Sequence, residues 1–279
     1  MDEQPAPRVT ALIISRNEAQ QLRRCLESLE RSSDREHLEI LVVDDGSTDG
    51  TASIADDFSD VISLKLPKRF GWTRAVNIGL RTAKGELICL FPPSCEAEPD
   101  TIRKLADTLE SSDEAGAVCT GTDRAWSFPG SSELLHAWKT GEYAGAVSIP
   151  EFGRTPVDYP FQCVFMTRRQ LLRAINYLDE RFGERWADLE LCSRLRSGGK
   201  AIVAMPEVRV RRSAQPPEDM TQVEWTDSAT GIATWLGLHH GTMAGIGARL
   251  SMAFYALGRG KTAVFTGILS GMKIDGNQE

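Results

Sequence analysis

The chain has 279 residues, 41% hydrophobic and 25% charged, long enough to bury a sizeable core. Its formal net charge of −7 and pI near 5.3 argue against a nucleic-acid binder, which would carry a basic stripe. The six cysteines (Cys25, Cys89, Cys95, Cys119, Cys163 and Cys192) form no CxxC pair and several lie in apolar runs, so they read as free thiols of a reducing, cytoplasmic compartment.

In chain order, residues 1–8 (MDEQPAPR) are acidic and proline-bearing; they make no signal peptide and read as disordered. Strands are expected at Val9–Ser15, Glu39–Val43, Val61–Leu66 and Glu86–Phe91. Between them lie helical patterns. One covers 17–31 with Leu22, Cys25, Leu26 and Leu29 as its core face, a second runs from Asp49 to Phe58, and a third covers Trp72 to Lys84, with Gly85 ending it. Pro99 opens a further helix through Leu109. This is the βαβ rhythm of a mostly parallel α/β sheet flanked by helices. After Gly116 the pattern loosens, and 125–160 reads as long, function-bearing loops around a short helix at Leu134–Thr140. A strand is expected over Ala201–Val210. The tail from about Thr226 to Lys273 is helical and glycine-rich, and too interrupted for a membrane span. Arg249, Arg259, Lys261 and Lys273 flank Phe254, Tyr255 and Phe265 there. That pattern leaves open packing on the domain, homo-oligomerisation and contact with a membrane surface.

The most informative stretch is ILVVDDGSTDGT at 40–51. An all-apolar run suits a strand covered on both faces, and Asp44 and Asp45 close it at the carboxyl edge, where open α/β sheets bind ligands. A carboxylate there can accept from a pyrimidine ring N–H or a ribose hydroxyl; the alternative is a turn, with Gly46, Ser47 and Thr48 starting the next helix. Other motifs fail. Gly260-Lys261-Thr262 imitates the end of a phosphate loop, but Tyr255 stands where its first glycine belongs. His239 and His240 are adjacent and do not face one point on a helix. No GxGxxG follows a strand.

Four segments, VTALIISRNE (9–18), VVDDGSTDGT (42–51), GWTRAVNIGL (71–80) and RFGERWADLELCSRLRSGG (181–199), resemble in order and spacing the inverting glycosyltransferases of family 2. The resemblance covers about three quarters of the chain, and the tail resembles the rhamnosyltransferase-like branch. It implies a GT-A domain over 9–215 and a helical appendage over 216–279. It implies that Asn17 and Glu18, which also begin a helix, meet base and ribose, and that Gly71, Arg74, Asn77 and Gly79 approach base and diphosphate. Val76 stands where many relatives carry arginine, with Lys68, Arg69 and Arg74 as compensating cations. Asp188 matches the general base that takes the acceptor proton. Trp186, Leu189, Cys192 and Leu195 give its helix a buried face, and Asp188 lies off that stripe. Ala187 replaces a preceding acid, Glu190 is a second candidate, and Gln162 replaces a glycine that relatives use near the acceptor.

The chain departs from the family where Mg²⁺ or Mn²⁺ is usually held. Pro92, Pro93 and Ser94 stand at the Asp-x-Asp motif, and the later histidine gives way to Arg211 and Arg212. No cofactor is therefore expected, since a hard cation needs carboxylate oxygens. Arg211 and Arg212 are candidates for a diphosphate clamp, with Val208 and Val210 facing the core, Arg209 and Arg211 opposite, and Arg212 in the following loop. The implied partners are a UDP- or dTDP-type sugar donor and a glycan or lipid-linked acceptor, met in the cytoplasm or at the inner membrane face. The competing expectation is a non-catalytic homologue that binds nucleotide or glycan as a partner subunit.

Overall fold

The computed structural model describes residues 6–121, 124–142, 146–160, 163–213 and 220–276. The apolar run from Val9 forms β1 (Val9–Ser15). After α1 (Ala19–Glu30) the chain returns as β2 (Leu38–Asp44), parallel to β1 from Val9 opposite Leu38 to Ser15 opposite Asp44. Burial on both faces demands cover on both sides. Leu22, Cys25, Leu26 and Leu29 of α1 supply one cover. A short α2 (Thr51–Ile54) and β3 (Val61–Lys65) precede α3 (Trp72–Thr82), whose Ala75, Val76 and Leu80 cover the other face before β4 (Leu87–Leu90).

A short β5 (Cys95–Ala97) and α4 (Thr101–Glu110) lead into β6 (Ala115–Thr120). The loop-rich middle holds β7 (Arg124–Trp126), α5 (Ser131–Thr140), β8 (Val147–Ser148), β9 (Thr155–Val157) and β10 (Tyr159–Pro160). Then follow β11 (Phe165–Arg168), α6 (Arg169–Ala174), α7 (Ala187–Ser197), β12 (Ala201–Met205) and β13 (Val210–Arg212). Among the described residues the main sheet has the order β3-β2-β1-β4-β11-β6-β12-β9, with β11 antiparallel between β4 and β6 and β9 antiparallel at the edge. The rest of the sheet is parallel, as the βαβ rhythm requires.

Three expectations change. The helix expected over 49–58 is one α turn and a 3₁₀ turn, because Phe58 turns extended to pack on the core beside Ile54. The strand from Ala201 stops at Met205, since Pro206 offers no N–H to continue the ladder, and resumes only at Val210 as β13 paired to β5. Arg212 therefore lies within a strand. Arg8, assigned to a disordered terminus, is anchored: its guanidinium pairs with Asp107 and Glu110 at 2.6 Å and its amide bonds the His37 carbonyl. The expected helical tail is present as α8 (Gln222–His239), α9 (Thr242–Gly258) and α10 (Thr262–Ser270), and it packs on the domain, one of the readings its sequence left open. Ile232, Trp235, Met252 and Ile268 belong to the same core as Leu12 and Val43 of the sheet, and the Trp138 indole N–H of α5 donates to the Trp225 carbonyl at 3.1 Å. Among the described residues no helix is long and apolar enough to cross a membrane.

Candidate active site

Strands β1, β2 and β4 run parallel, so Ser15, Asp44 and Phe91 reach one edge together. Helix α7 runs back before β12, which is parallel to β6, and this brings the N-terminus of α7 to the same edge. The loops after β1 and β2 are laced to each other there. Asn17, held at φ 55°, accepts from the Thr48 amide at 2.9 Å and donates its own amide to the Ser47 hydroxyl, while the Glu18 amide bonds Thr51 Oγ1 at 2.8 Å. Asp44 accepts from the Ser47 amide at 3.0 Å and from its hydroxyl. The structure thus brings Asn17, Glu18 and Asp44 together, each engaged in the lacing.

Asp45 is buried, and both its oxygens are taken: Oδ1 accepts from the Phe70 amide at 2.6 Å and Oδ2 from Gly71 at 2.9 Å. Burial pushes this carboxyl above its usual range, partly offset by those two amides. Each oxygen keeps a further lone pair, so Asp45 holds the loop into α3 at the edge where the contact with base or ribose was expected. Arg69 reaches Glu224 at 2.9 Å and Glu184 at 3.4 Å. Asp227, wholly buried on α8, accepts from the amides of Glu184 at 2.9 Å and Ile274 at 2.8 Å; burial, with Glu184 nearby, pushes it up to about 6. Glu184 is likewise raised by burial. Neither Glu184 nor Asp227 was singled out from sequence, although Glu184 stands inside the family-like segment.

The segment 71–77 faces the chain's own end. A Cβ on Gly71 would sit 2.5 Å from the Ile274 carbonyl, and Gly71 holds φ 86°. Arg74 donates to the Asp275 carbonyl, lies 3.7 Å from Glu180 and covers the Phe70 ring at 5.1 Å. Asn77 is buried, donating to Leu178 O and Glu180 at 3.0 Å and accepting from the Leu178 amide. Gly71, Arg74 and Asn77, expected to approach base and diphosphate, lie against the loop at 178–180 and the tail at 274–275. Asn77 keeps no free N–H for a ligand, because both amide hydrogens are used inside the protein.

Asp188 lies in the first turn of α7, just after Trp186, which holds φ 75° and anchors its indole N–H on Ser228 at 3.0 Å. Tyr159 of β10 donates its hydroxyl to Asp188 Oδ2 at 2.6 Å, and Oδ1 accepts from the Leu189 amide. Burial raises the Asp188 carboxyl above its ordinary range, with the Tyr159 hydroxyl pulling the other way. A carboxylate poised in this way can take a proton from a hydroxyl. Glu190, the second candidate, is buried against Arg194 at 2.7 Å and is committed to that pair. Tyr159 carried no family motif and went unmarked in the sequence. Gln162 lies outside the described residues.

At the end of β4, β13 pairs with β5 so that Arg212 faces Cys95 and Arg211 faces Glu96, and the Ser213 amide bonds the Ser94 carbonyl at 2.9 Å. Both arginines thus lie beside Pro92-Pro93-Ser94. Arg211 is 3.8 Å from Glu96 and its side chain is 75% exposed. Proline carbons and one serine hydroxyl do not fit a hard divalent ion, and Glu96 is shared with Arg24 and Arg211. Among the described residues no group of three or more His, Cys, Asp or Glu side chains is gathered to hold a metal.

Solved structures share this architecture. A mannosyltransferase of Pyrobaculum calidifontis, in complex with GDP-Man and Mn²⁺, superposes with a TM-score of 0.58 at 17% identity, covering 95% of this chain and 74% of that one. S. aureus TarS 1-349 gives 0.56 at 14%, over 95% and 71%. At these identities the likeness is one of fold, and the fold is GT-A. The sequence model of Glycosyl transferase family 2 matches residues 10–175, and the chain belongs to that family. Among curated relatives, an undecaprenyl-phosphate 4-deoxy-4-formamido-L-arabinose transferase of Aeromonas hydrophila is 24% identical over 42% of this chain and 37% of its own length. Glycosyltransferase AglE of Haloferax volcanii is 26% identical over 44% and 41%. The chain spans well under half the length of these relatives.

Proposed function

We propose that the protein moves a sugar from a UDP- or dTDP-type donor to a hydroxyl of a glycan or lipid-linked acceptor, inverting the anomeric carbon. The observation that carries this reading is Asp188 at the carboxyl edge of the sheet, at the start of α7, with Tyr159 on one of its oxygens. In the proposed step Asp188 takes the acceptor proton while the hydroxyl oxygen attacks the anomeric carbon. The bond from that carbon to the diphosphate breaks, and the electron pair leaves with the nucleoside diphosphate. One displacement from the opposite face inverts the centre.

Support for the donor comes from the laced loops around Asn17, Glu18 and Asp44, and from the UDP named for a second S. aureus TarS 1-349 structure, which matches at a TM-score of 0.58 and 14% identity. Support for a lipid-linked acceptor comes from the name of the A. hydrophila relative. In this reading Asp45, Gly71, Arg74 and Asn77 position the donor loop, and Arg211 and Arg212 meet the diphosphate charge that carboxylate-held metal meets elsewhere in the family. Placement in the rhamnosyltransferase-like branch rests on the tail resemblance.

The test is release of nucleoside diphosphate from a panel of UDP- and dTDP-sugars with lipid-linked and free glycan acceptors. Asp188→Asn is expected to lower turnover by roughly 10²-fold or more while donor affinity stays near wild type. Donor binding without transfer to any acceptor, unchanged in Asp188→Asn, would instead support a binding subunit, the reading favoured by Pro92-Pro93-Ser94.

A further inference from the structure

Helix α9 turns Gly245, Ala248, Met252, Ala253 and Ala256 into the domain. On its other side Met243, Ile246, Leu250, Phe254 and Leu257 stand out, spaced three, four, four and three residues apart and 42–78% exposed. That spacing keeps them on one face, about 21 Å long at 1.5 Å per residue. Phe254 leans on Phe265 of α10, with centroids 6.2 Å apart, and Leu269 and Met272 extend the apolar surface. Soluble monomers rarely leave a contiguous apolar surface of this kind uncovered.

The charge around it identifies the occupant. Between Asp227 and Asp275 the sequence has no carboxylate and four cations, Arg249, Arg259, Lys261 and Lys273, in a chain of net charge −7. Arg249 reaches toward Gly271 on the seam between α9 and α10, and Arg259 and Lys261 stand in the turn joining those helices, stacked on Tyr255 and Trp225. A second copy on this face would set cation against cation, with no carboxylate in either stretch to pair them. An anionic bilayer satisfies both features, since apolar side chains enter the acyl boundary while the flanking cations meet lipid phosphates.

We propose that the α9–α10 face lies on the surface of a bilayer containing anionic lipid, with Met243, Ile246, Leu250, Phe254 and Leu257 inserted and no helix spanning. Flotation with phosphatidylglycerol–phosphatidylcholine vesicles, compared with pure phosphatidylcholine vesicles, tests it without any enzyme assay. The wild-type chain is expected to float with the anionic vesicles about tenfold better, and the Leu250→Glu/Phe254→Glu variant to lose about tenfold or more. Both positions are exposed, so circular dichroism and Tm should match wild type. A companion variant, Arg249→Gln/Arg259→Gln, leaves the stripe intact and should lose the preference for phosphatidylglycerol. Equal flotation of the glutamate variant, no flotation of the wild type, or a dimer in light scattering that the glutamate variant disperses would each overturn the proposal.

Discussion

The Asp45 carboxylate receives the amide of Gly71 at 2.9 Å, 26 residues further along the chain. Its other oxygen receives Phe70, so the end of β2 holds the entry to α3 by two bonds. Gly71 in turn presses against the Ile274 carbonyl, with no room for a Cβ. A strand end, a loop and the carboxyl tail are thereby fastened at one point of the site.

Asp45→Ala should therefore unfold more readily. It strands one buried and one half-buried amide, each bonded to a charged acceptor, at a cost of about 3 kcal/mol. Asp45→Asn keeps one acceptor and should lose less. Urea denaturation checks both; a variant that kept its stability and lost only nucleotide affinity would return Asp45 to the role of a direct ligand contact.

Asp227 should make stability depend on pH in an unusual direction. Its carboxyl titrates at about 6 in the fold against an ordinary 3.8. Between those values the folded chain holds more proton than the unfolded one. Stability from this group is therefore greatest below about pH 4, falls as pH rises toward 6, and is flat above, over a range of about 3 kcal/mol. Asp227→Asn should flatten that window while losing roughly 1–3 kcal/mol overall, because one oxygen cannot serve both Glu184 and Ile274. Urea midpoints for the two proteins between pH 4 and 7.5 decide it.

Gly183→Ala should release the tail. A Cβ there would stand 1.8 Å from Asp227 Oδ1, so the carboxylate must leave the Ile274 amide. A loss of about 2–4 kcal/mol is expected, with faster proteolysis near residues 270–276. An unchanged Tm and digestion pattern would mean that the tail is held elsewhere.

Tyr159→Phe removes a donor that lowers the Asp188 carboxyl, whose burial already raises it. A general base must be ionised to act, so the acid limb of the rate profile should move to higher pH in the variant. At high pH turnover should approach wild type more closely than at pH 6. A pH profile of turnover is the check, and an unmoved acid limb would show that Asp188 is not the titrating base.

Arg211→Ala/Arg212→Ala should weaken donor binding while excess EDTA leaves it unchanged, since guanidinium pairs suit diphosphate oxygens. Calorimetric titration with a nucleotide sugar measures both. Saturable Mn²⁺ dependence of binding would point to metal ligands outside Pro92-Pro93-Ser94.

The sheet and its edge were readable from local pattern. ILVVDD carries its own signature, because a strand buried on both faces is apolar throughout and must end in polar residues at the ligand edge. Asp188 of RWADLELC, marked by its match to the family segment, also lies off the apolar stripe of its own helix. Neighbours in sequence suffice for such readings. The partners of those residues were not readable. Asp45 meets Phe70 and Gly71, Asn77 meets Leu178, Asp188 meets Tyr159, and Arg212 faces Cys95, all through pairings across 25 residues or more. A carboxylate or amide has the same local sequence whether it binds a ligand or an N–H of its own chain. Only the folded chain decides which donor arrives first, because burial makes each unpaired polar group costly and the nearest partner takes it. The sequence by itself determined a family 2 domain with a candidate base at its ligand edge. The tertiary structure decided that Asp45, Arg74 and Asn77 serve the loop and tail around that edge, and that the helical tail shares the sheet's core.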